Sequence, residues 1–140
     1  MTIKYILNSE RSISSQQLKD LYNNVGWWPE RSLEDIKHIL VQGIALGVWN
    51  ENKLIGFCRV LTDGRFRAYL EDVCVDDEYR NQGIGRELIE VMLRELKDIH
   101  IISLFCDEND QEFYMKNNFK STSQRVMHWK PKYGFVSDSE

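Results

Sequence analysis

The residues best suited to chemistry lie in one stretch, Val73-Cys74-Val75-Asp76-Asp77-Glu78-Tyr79-Arg80-Asn81-Gln82-Gly83-Ile84-Gly85-Arg86, where an apolar strand passes through an acidic turn into a glycine-flanked helix start. Such a junction holds an anion. Glycines let a phosphate approach the backbone, and the first free N–H groups of the helix, with the positive end of its macrodipole, point at it. Arg80, three residues before Gly83, adds a cation. Spacing separates the phosphate loops that compete for the junction. A Gly-x-x-x-x-Gly-Lys-Ser/Thr loop is missing from the chain. A dinucleotide fingerprint needs a small third residue where Leu88 stands, and a doubly wound strand order that the chain lacks.

The elements that must position this junction follow from periodicity. A short strand from about Ile3 to Leu7 precedes Ser14-Ser15-Gln16-Gln17, a capping-box pattern that opens a helix with Leu18, Leu21, Tyr22 and Val25 on one side. Gly26 ends it, Ser32 caps a second helix, and Gly43 stops that one, so Val25-Gly26-Trp27-Trp28-Pro29 is a tight link. Ile44 to Trp49, Lys53 to Leu61 and Arg67 to Val75, joined by short polar turns, predict an antiparallel meander. From Gly83 to about Lys97, Ile84, Leu88, Met92 and Leu96 fall four apart, which predicts an amphipathic helix lying on a sheet. His100 to Cys106 reads as a strand parallel to the one before that helix, reached by a right-handed crossover. A short helix from about Asp110 to Asn117 and a last strand from about Phe119 to Trp129 complete an α/β (α+β) domain. Its mixed, mostly antiparallel twisted sheet is flanked by about four helices.

Composition bounds what this domain does. With 140 residues, 42% hydrophobic and 29% charged, the chain fits one globular domain, expected over 1–136 with a fraying tail at 137–140. A formal charge of −4 with interspersed signs argues against nucleic acid or an anionic membrane as partner. No apolar run reaches the length of a signal peptide or a membrane span, so the chain reads as soluble and cytoplasmic. Cys58, Cys74 and Cys106 each lie in a strand-like apolar run and read as small buried hydrophobes. With no Cys-x-x-Cys pair, and His38, His100 and His128 isolated, no metal site is expected.

The remaining phosphate pattern, Arg80-Asn81-Gln82-Gly83-Ile84-Gly85 after a mixed-sheet strand, resembles the pyrophosphate-binding Arg-x-x-Gly-x-Gly motif of the GCN5-related N-acetyltransferase family. The resemblance covers nearly the whole chain, because the element order above is also that family's. Tyr69-Leu70-Glu71-Asp72-Val73-Cys74-Val75 is similar to the strand before the loop in its polyamine and small-amine acetyltransferases. Phe113-Tyr114-Met115-Lys116-Asn117-Asn118-Phe119 is similar to its Phe-Tyr-x-x-x-Gly-Phe segment, with Asn118 in place of glycine. Asparagine is the next most tolerant residue of a left-handed backbone.

The resemblance implies acetyl coenzyme A as cosubstrate, its pyrophosphate held by Gln82, Gly83, Ile84, Gly85 and Arg86, with Arg80 and Asn81 completing the loop. It implies a pantetheine arm pairing with the backbone at Val73, Cys74 and Val75, as a peptide adds to a strand edge, with Asn109 as a further contact. Transfer to an amine first requires a base, since deprotonating an alkylammonium at neutral pH costs about 4 to 5 kcal/mol. The resemblance gives that role to Glu71, directly or through a water, and gives Tyr114 the role of general acid toward the leaving thiolate. Asp72 points to the opposite face of an unbulged strand and is assigned to attraction of the substrate ammonium or to structure. Trp27 and Trp28 lie on the link that resembles the family's acceptor wall, where indoles stack on an aromatic amine or attract an ammonium. The expected acceptor is a small-molecule primary amine, attacked directly in a ternary complex. Two alternatives stand beside it: an acyl-CoA-binding or regulatory module without catalysis, and acetylation of a peptide or protein amine. Homodimers are common in the family.

Overall fold

The computed structural model describes residues 2–131. Strand β1 (Ile3–Leu7) leads into helices α1 (Ser15–Val25) and α2 (Leu33–Leu40), then strands β2 (Ile44–Asn50), β3 (Lys53–Thr62) and β4 (Arg67–Val75). Helix α3 (Ile84–Glu95), strand β5 (Ile101–Leu104) and the short helix α4 (Gln111–Met115) follow. Both early helices start on full capping boxes: Ser14 with Gln17, and Ser32 with Asp35. Each pairs two otherwise orphaned backbone donors. Gly26 ends α1 at φ 77°, a left-handed turn that glycine enters without a Cβ clash.

The five strands form one sheet in the order β1-β2-β3-β4-β5, antiparallel except for the parallel β4–β5 pair that α3 connects. This is the mixed, mostly antiparallel sheet with four helices that the periodicity predicts. One face packs Leu46, Val48, Ile55, Val60 and Leu70 against Ile84, Leu88, Ile89 and Met92 of α3. The other packs Ala45, Trp49, Phe57 and Cys74 against Leu18, Leu21 and Tyr22 of α1 and Ile36 of α2. The α3 stripe read from the sequence is therefore its buried face.

Two expectations are corrected. Residues 119–131 form no strand. The polar run Ser121-Thr122-Ser123 turns on itself, the Thr122 hydroxyl accepting the Gln124 N–H at 3.1 Å, and such local bonds compete with a strand ladder. Val126, Met127 and Trp129 are left exposed. Cys106 is also exposed, because β5 stops at Leu104 and the cysteine sits on the loop beyond it. The proposed tail, 137–140, and the last residues of the domain, 132–136, lie outside the described residues.

Candidate active site

The site begins where β4 and β5 part. Their pairing runs from Arg67↔Ile101 to Leu70↔Leu104 and stops, while β4 continues to Val75. Among the described residues no strand pairs with that edge of β4 beyond Leu70, and Glu71, Asp72 and Val73 line an open cleft there, while Cys74 and Val75 continue the unpaired edge outside it. Unpaired strand edges accept an added amide chain. Val73 and Val75 turn half-buried side chains toward the α3 core, while the Cys74 side chain is buried on the other face. Burial raises the Cys74 thiol well above its ordinary value, with Asp72 adding to the effect, so it is held neutral.

The acidic turn after β4 braces the phosphate loop. Asp76 is buried, accepts the Glu78 N–H at 2.9 Å and pairs with Lys53 at 3.5 Å. The Asp77 N–H donates to Asn24 of α1 at 3.0 Å, and the Asn50 amide donates to the Tyr79 hydroxyl at 2.9 Å. Arg80 then pairs with Asp77 at 3.0 Å, both side chains more than half exposed, a pair that adds little stability. Asn81 (φ 62°) and Gly83 (φ 80°) both take left-handed backbone and turn the chain sharply into α3. Glu87 donates the first helical bond, to the Gly83 carbonyl at 3.1 Å, which leaves the preceding N–H groups at a positive helix end. Gly85 sits close against Phe113: a Cβ there would stand 3.0 Å from Phe113 Cζ, and the ring would have to give way by a few tenths of an ångström. The Phe113 contact docks α4 against the start of α3. Arg86 is exposed on α3, and Asn109 is exposed on the turn Glu108–Asp110, of which Asp110 lines the cleft.

The cleft is about 830 Å³, within the range of small-molecule sites, and brings together Trp27, Trp28, Glu71, Asp72, Val73, Arg80 and Tyr114. Tyr69 and Phe105, with ring centroids 5.0 Å apart, close another wall. Tyr114 packs edge-on against Phe113 at 5.0 Å, and burial, aided by Cys106 and Asp110, pushes its hydroxyl up to about 12. It therefore carries a proton at neutral pH. Asn118 takes φ 69°, so the asparagine fills the left-handed position that glycine usually holds.

Sequence reasoning missed the group that holds the two carboxylates. Between the pairs Phe57↔Cys74 and Arg59↔Glu71, Asp72 and Val73 stand opposite Cys58 alone, a bulge in β4 with Asp72 at φ 56°. The bulge inverts the alternation: Leu70 packs on the α3 side and Cys74 on the α1 side, although they are an even number of residues apart. Glu71 and Asp72 consequently both reach Arg59, whose Nη2 lies 2.7 Å from Glu71 and whose Nε donates to Asp72 at 3.1 Å. The same Asp72 oxygen accepts the Tyr22 hydroxyl at 2.9 Å and lies 3.5 Å from Arg31 Nη1. Of the two roles assigned to Asp72, these contacts support the structural one. Its side chain is 3% exposed and turned into the protein, whereas that of Glu71 is 23% exposed at the cleft wall. Burial and then Asp72 raise the Glu71 carboxyl, and Arg59 pulls it back. A signal for Arg59 was present: a lone charge inside the apolar strand Leu54–Leu61 cannot be buried without a partner.

Trp28 takes φ 51°, is 36% exposed and lies under the Arg31 guanidinium, 4.0 Å from its ring centroid. Trp27 is half-buried against the α1–α2 core. Both indoles line the cleft, and Trp28 is the more exposed of the two.

The model of the acetyltransferase (GNAT) family matches residues 8–119 of the chain. The chain is 42% identical over 86 residues to the chloroplastic GCN5-related N-acetyltransferase 2 of Arabidopsis thaliana, covering 59% of this chain and 33% of that protein. It is 33% identical over 144 residues to a Glycine max protein named histone acetyltransferase TAP1, covering 91% of this chain and 62% of that one. The chain thus spans less than two thirds of the length of these relatives. A probable acetyltransferase from methicillin-resistant Staphylococcus aureus superposes with a TM-score of 0.80 at 22% identity, over 92% of this chain and 99% of that one. Glucosamine-6-phosphate N-acetyltransferase from Arabidopsis thaliana superposes with a TM-score of 0.70 at 15% identity, over 92% and 99% respectively. At those identities the likeness is one of fold. The split sheet, the left-handed loop into α3 and a family model that takes in every element from α1 to α4 lead to one assignment: the chain belongs to the acetyltransferase (GNAT) family.

Proposed function

We propose that the chain transfers an acetyl group from acetyl coenzyme A to the primary amine of a small molecule, by direct attack in a ternary complex. The observation that carries this reading is the open edge of β4 beyond Leu70, which runs from the Glu71 wall of the cleft to the phosphate-type loop at Asn81–Gly85. A pantetheine arm laid along that edge would put its thioester between Glu71 and Tyr114, and its pyrophosphate at the start of α3.

The chemistry then divides among the chain's own residues. Glu71 takes the ammonium proton, directly or through a water; its raised affinity for protons suits a base better than an ordinary surface carboxylate does. The freed amine attacks the thioester carbon, and N–H groups of the β4 edge polarise the oxygen. When the intermediate collapses the C–S bond breaks, Tyr114 gives its proton to the departing thiolate, and the second proton of the attacking nitrogen, shed as the amide forms, passes through water to restore the Tyr114 hydroxyl. A covalent step on Cys74 has no support, because that thiol is buried and held neutral. Trp27 and Trp28 serve as the acceptor wall, and Arg80 and Arg86 add charge beside the pyrophosphate.

A second reading, a peptide lysine as acceptor, is favoured by the similarity to the soybean protein named histone acetyltransferase TAP1. Acetyl-CoA consumption over a panel of small amines and a lysine-bearing peptide decides between them. Glu71→Gln and Tyr114→Phe test the roles: each should lower kcat by about 10²-fold or more with coenzyme binding retained. Near-wild-type rates in both variants would remove the assignment. Coenzyme binding with no acceptor consumed would leave a binding module instead.

A further inference from the structure

We propose that Arg59, forked between Glu71 and Asp72, is a positioning residue for acetyl transfer: it fixes the Glu71 carboxylate at the cleft wall and supplies the charge that lets two adjacent carboxylates share one site. The inference rests on the proposed function for the role of Glu71, and on geometry for the rest.

The geometry is that of a clamp. Arg59 and Glu71 are direct cross-strand partners on β3 and β4, and the Nη2 contact of 2.7 Å is as short as charge-assisted bonds become. The guanidinium is planar and rigid, so its Nε contact to Asp72 at 3.1 Å fixes where Nη2 lies. Asp72 is in turn held by Tyr22 from α1, so the orientation of Glu71 is referred through Arg59 to the helix layer below the sheet. The β4 bulge makes this arrangement. Without it Asp72 would turn to the α3 face and leave Arg59 a single carboxylate.

The charges facing Glu71 account for the electrostatics. Arg59 comes from β3, Arg31 from the α1–α2 link, and Tyr69 and Asp72 from its own strand. Arg80, Asp107 and Asp110 line other walls of the same cleft. Of these, Arg59 and Tyr69 are in hydrogen-bonding contact with Glu71, Arg59 alone of the two carries charge, and Asp72 is the adjacent like charge that Arg59 offsets. Removing the arginine and removing the aspartate must therefore move the Glu71 titration in opposite directions.

The test is a carboxylate-resolved NMR titration of Glu71, assigned by its loss in Glu71→Gln, together with pH profiles of kcat/KM. Arg59→Gln should raise the Glu71 midpoint by about 1 to 3 pH units. Asp72→Asn should lower it, and Arg59→Lys, which keeps the charge and loses the fork, should fall between wild type and Arg59→Gln. The acid limb of kcat/KM should follow the same order, with kcat reduced about 10²-fold in Arg59→Gln and KM for acetyl-CoA changed by less than about threefold. Should Arg59→Gln not fold, Arg59→Lys and Asp72→Asn carry the comparison. Midpoints that stay put, or move in one direction in all variants, overturn the proposal. So does a loss that falls on KM for acetyl-CoA with kcat intact. An empty amine panel beside midpoints that move in opposite directions supports the clamp and removes the reading of function instead.

Discussion

Asp72 offers the sharpest test of how the site is built, because its backbone and its carboxylate can be perturbed separately. Asp72→Ala deletes the acceptor of two donors, Tyr22 OH and Arg59 Nε, together with the charge 3.5 Å from Arg31 Nη1, from a side chain 3% exposed. Breaking a buried ion pair costs about 3–5 kcal/mol, and Arg59 keeps Glu71 as a partner, so the lower end, about 3 kcal/mol, applies. Alanine at φ 56° holds strain of about 1 kcal/mol, because its Cβ crowds the following carbonyl. Asp72→Gly deletes the same carboxylate but tolerates that backbone, and should be more stable than Asp72→Ala by about 0.5–1 kcal/mol even after the entropy glycine gains on unfolding. Asp72→Asn keeps an acceptor and a tolerant backbone, and should lose about 1–2 kcal/mol. Equilibrium urea unfolding, followed by the fluorescence of buried Trp49, gives all three values. A loss below about 1 kcal/mol in Asp72→Ala would refute the network, and Asp72→Gly less stable than Asp72→Ala would refute the bulge.

The two loop glycines should respond differently. Gly83→Ala meets nothing within 4 Å and strains only φ, costing about 1 kcal/mol, whereas Gly85→Ala drives a Cβ to 3.0 Å from Phe113 and should cost about 1–3 kcal/mol. Because Phe113 packs on Tyr114, kcat should fall further in Gly85→Ala, as steady-state kinetics on both variants would register. Under native conditions one thiol, Cys106, should react with a chromogenic disulfide, more slowly than a free thiol because partial burial and then Asp110 and Asp107 raise it, while Cys58 and Cys74, buried and raised, react only on unfolding. Bound coenzyme A should protect Cys106, which lines the cleft. The raised Glu71 carboxyl makes protonation more favourable in the folded state, so its contribution is fully present below the ordinary 4.5 and is lost as pH rises through the raised value. The stability of wild type relative to Glu71→Gln should therefore decline from pH 4 to pH 7, as paired urea titrations would show. With Tyr114 held near 12, the rate should show no loss from that group up to about pH 10.

Much of the architecture was legible because it is written locally. The capping boxes at Ser14 and Ser32, the stop at Gly26 and the four-residue apolar stripe of α3 are short-range patterns, and each appears where its residues predict. The last strand was misread for the converse reason. Phe119 to Trp129 has strand-like composition, but a strand exists only by pairing, and the Thr122 turn keeps this segment out of the sheet. Cys106 was misread with it, because an apolar run does not reveal where β5 leaves β4.

What the sequence determined by itself was the junction from Val73 to Arg86, with its glycines, its cation and its helix start, and the order of elements that delivers Glu71 and Tyr114 to one end of the sheet. Those are properties of spacing along the chain. Tertiary structure alone decided that Asp72 turns inward, that Glu71 stays at the cleft wall, and that Arg59 joins them. A bulge depends on register between strands, and register is set by packing on both faces of the sheet.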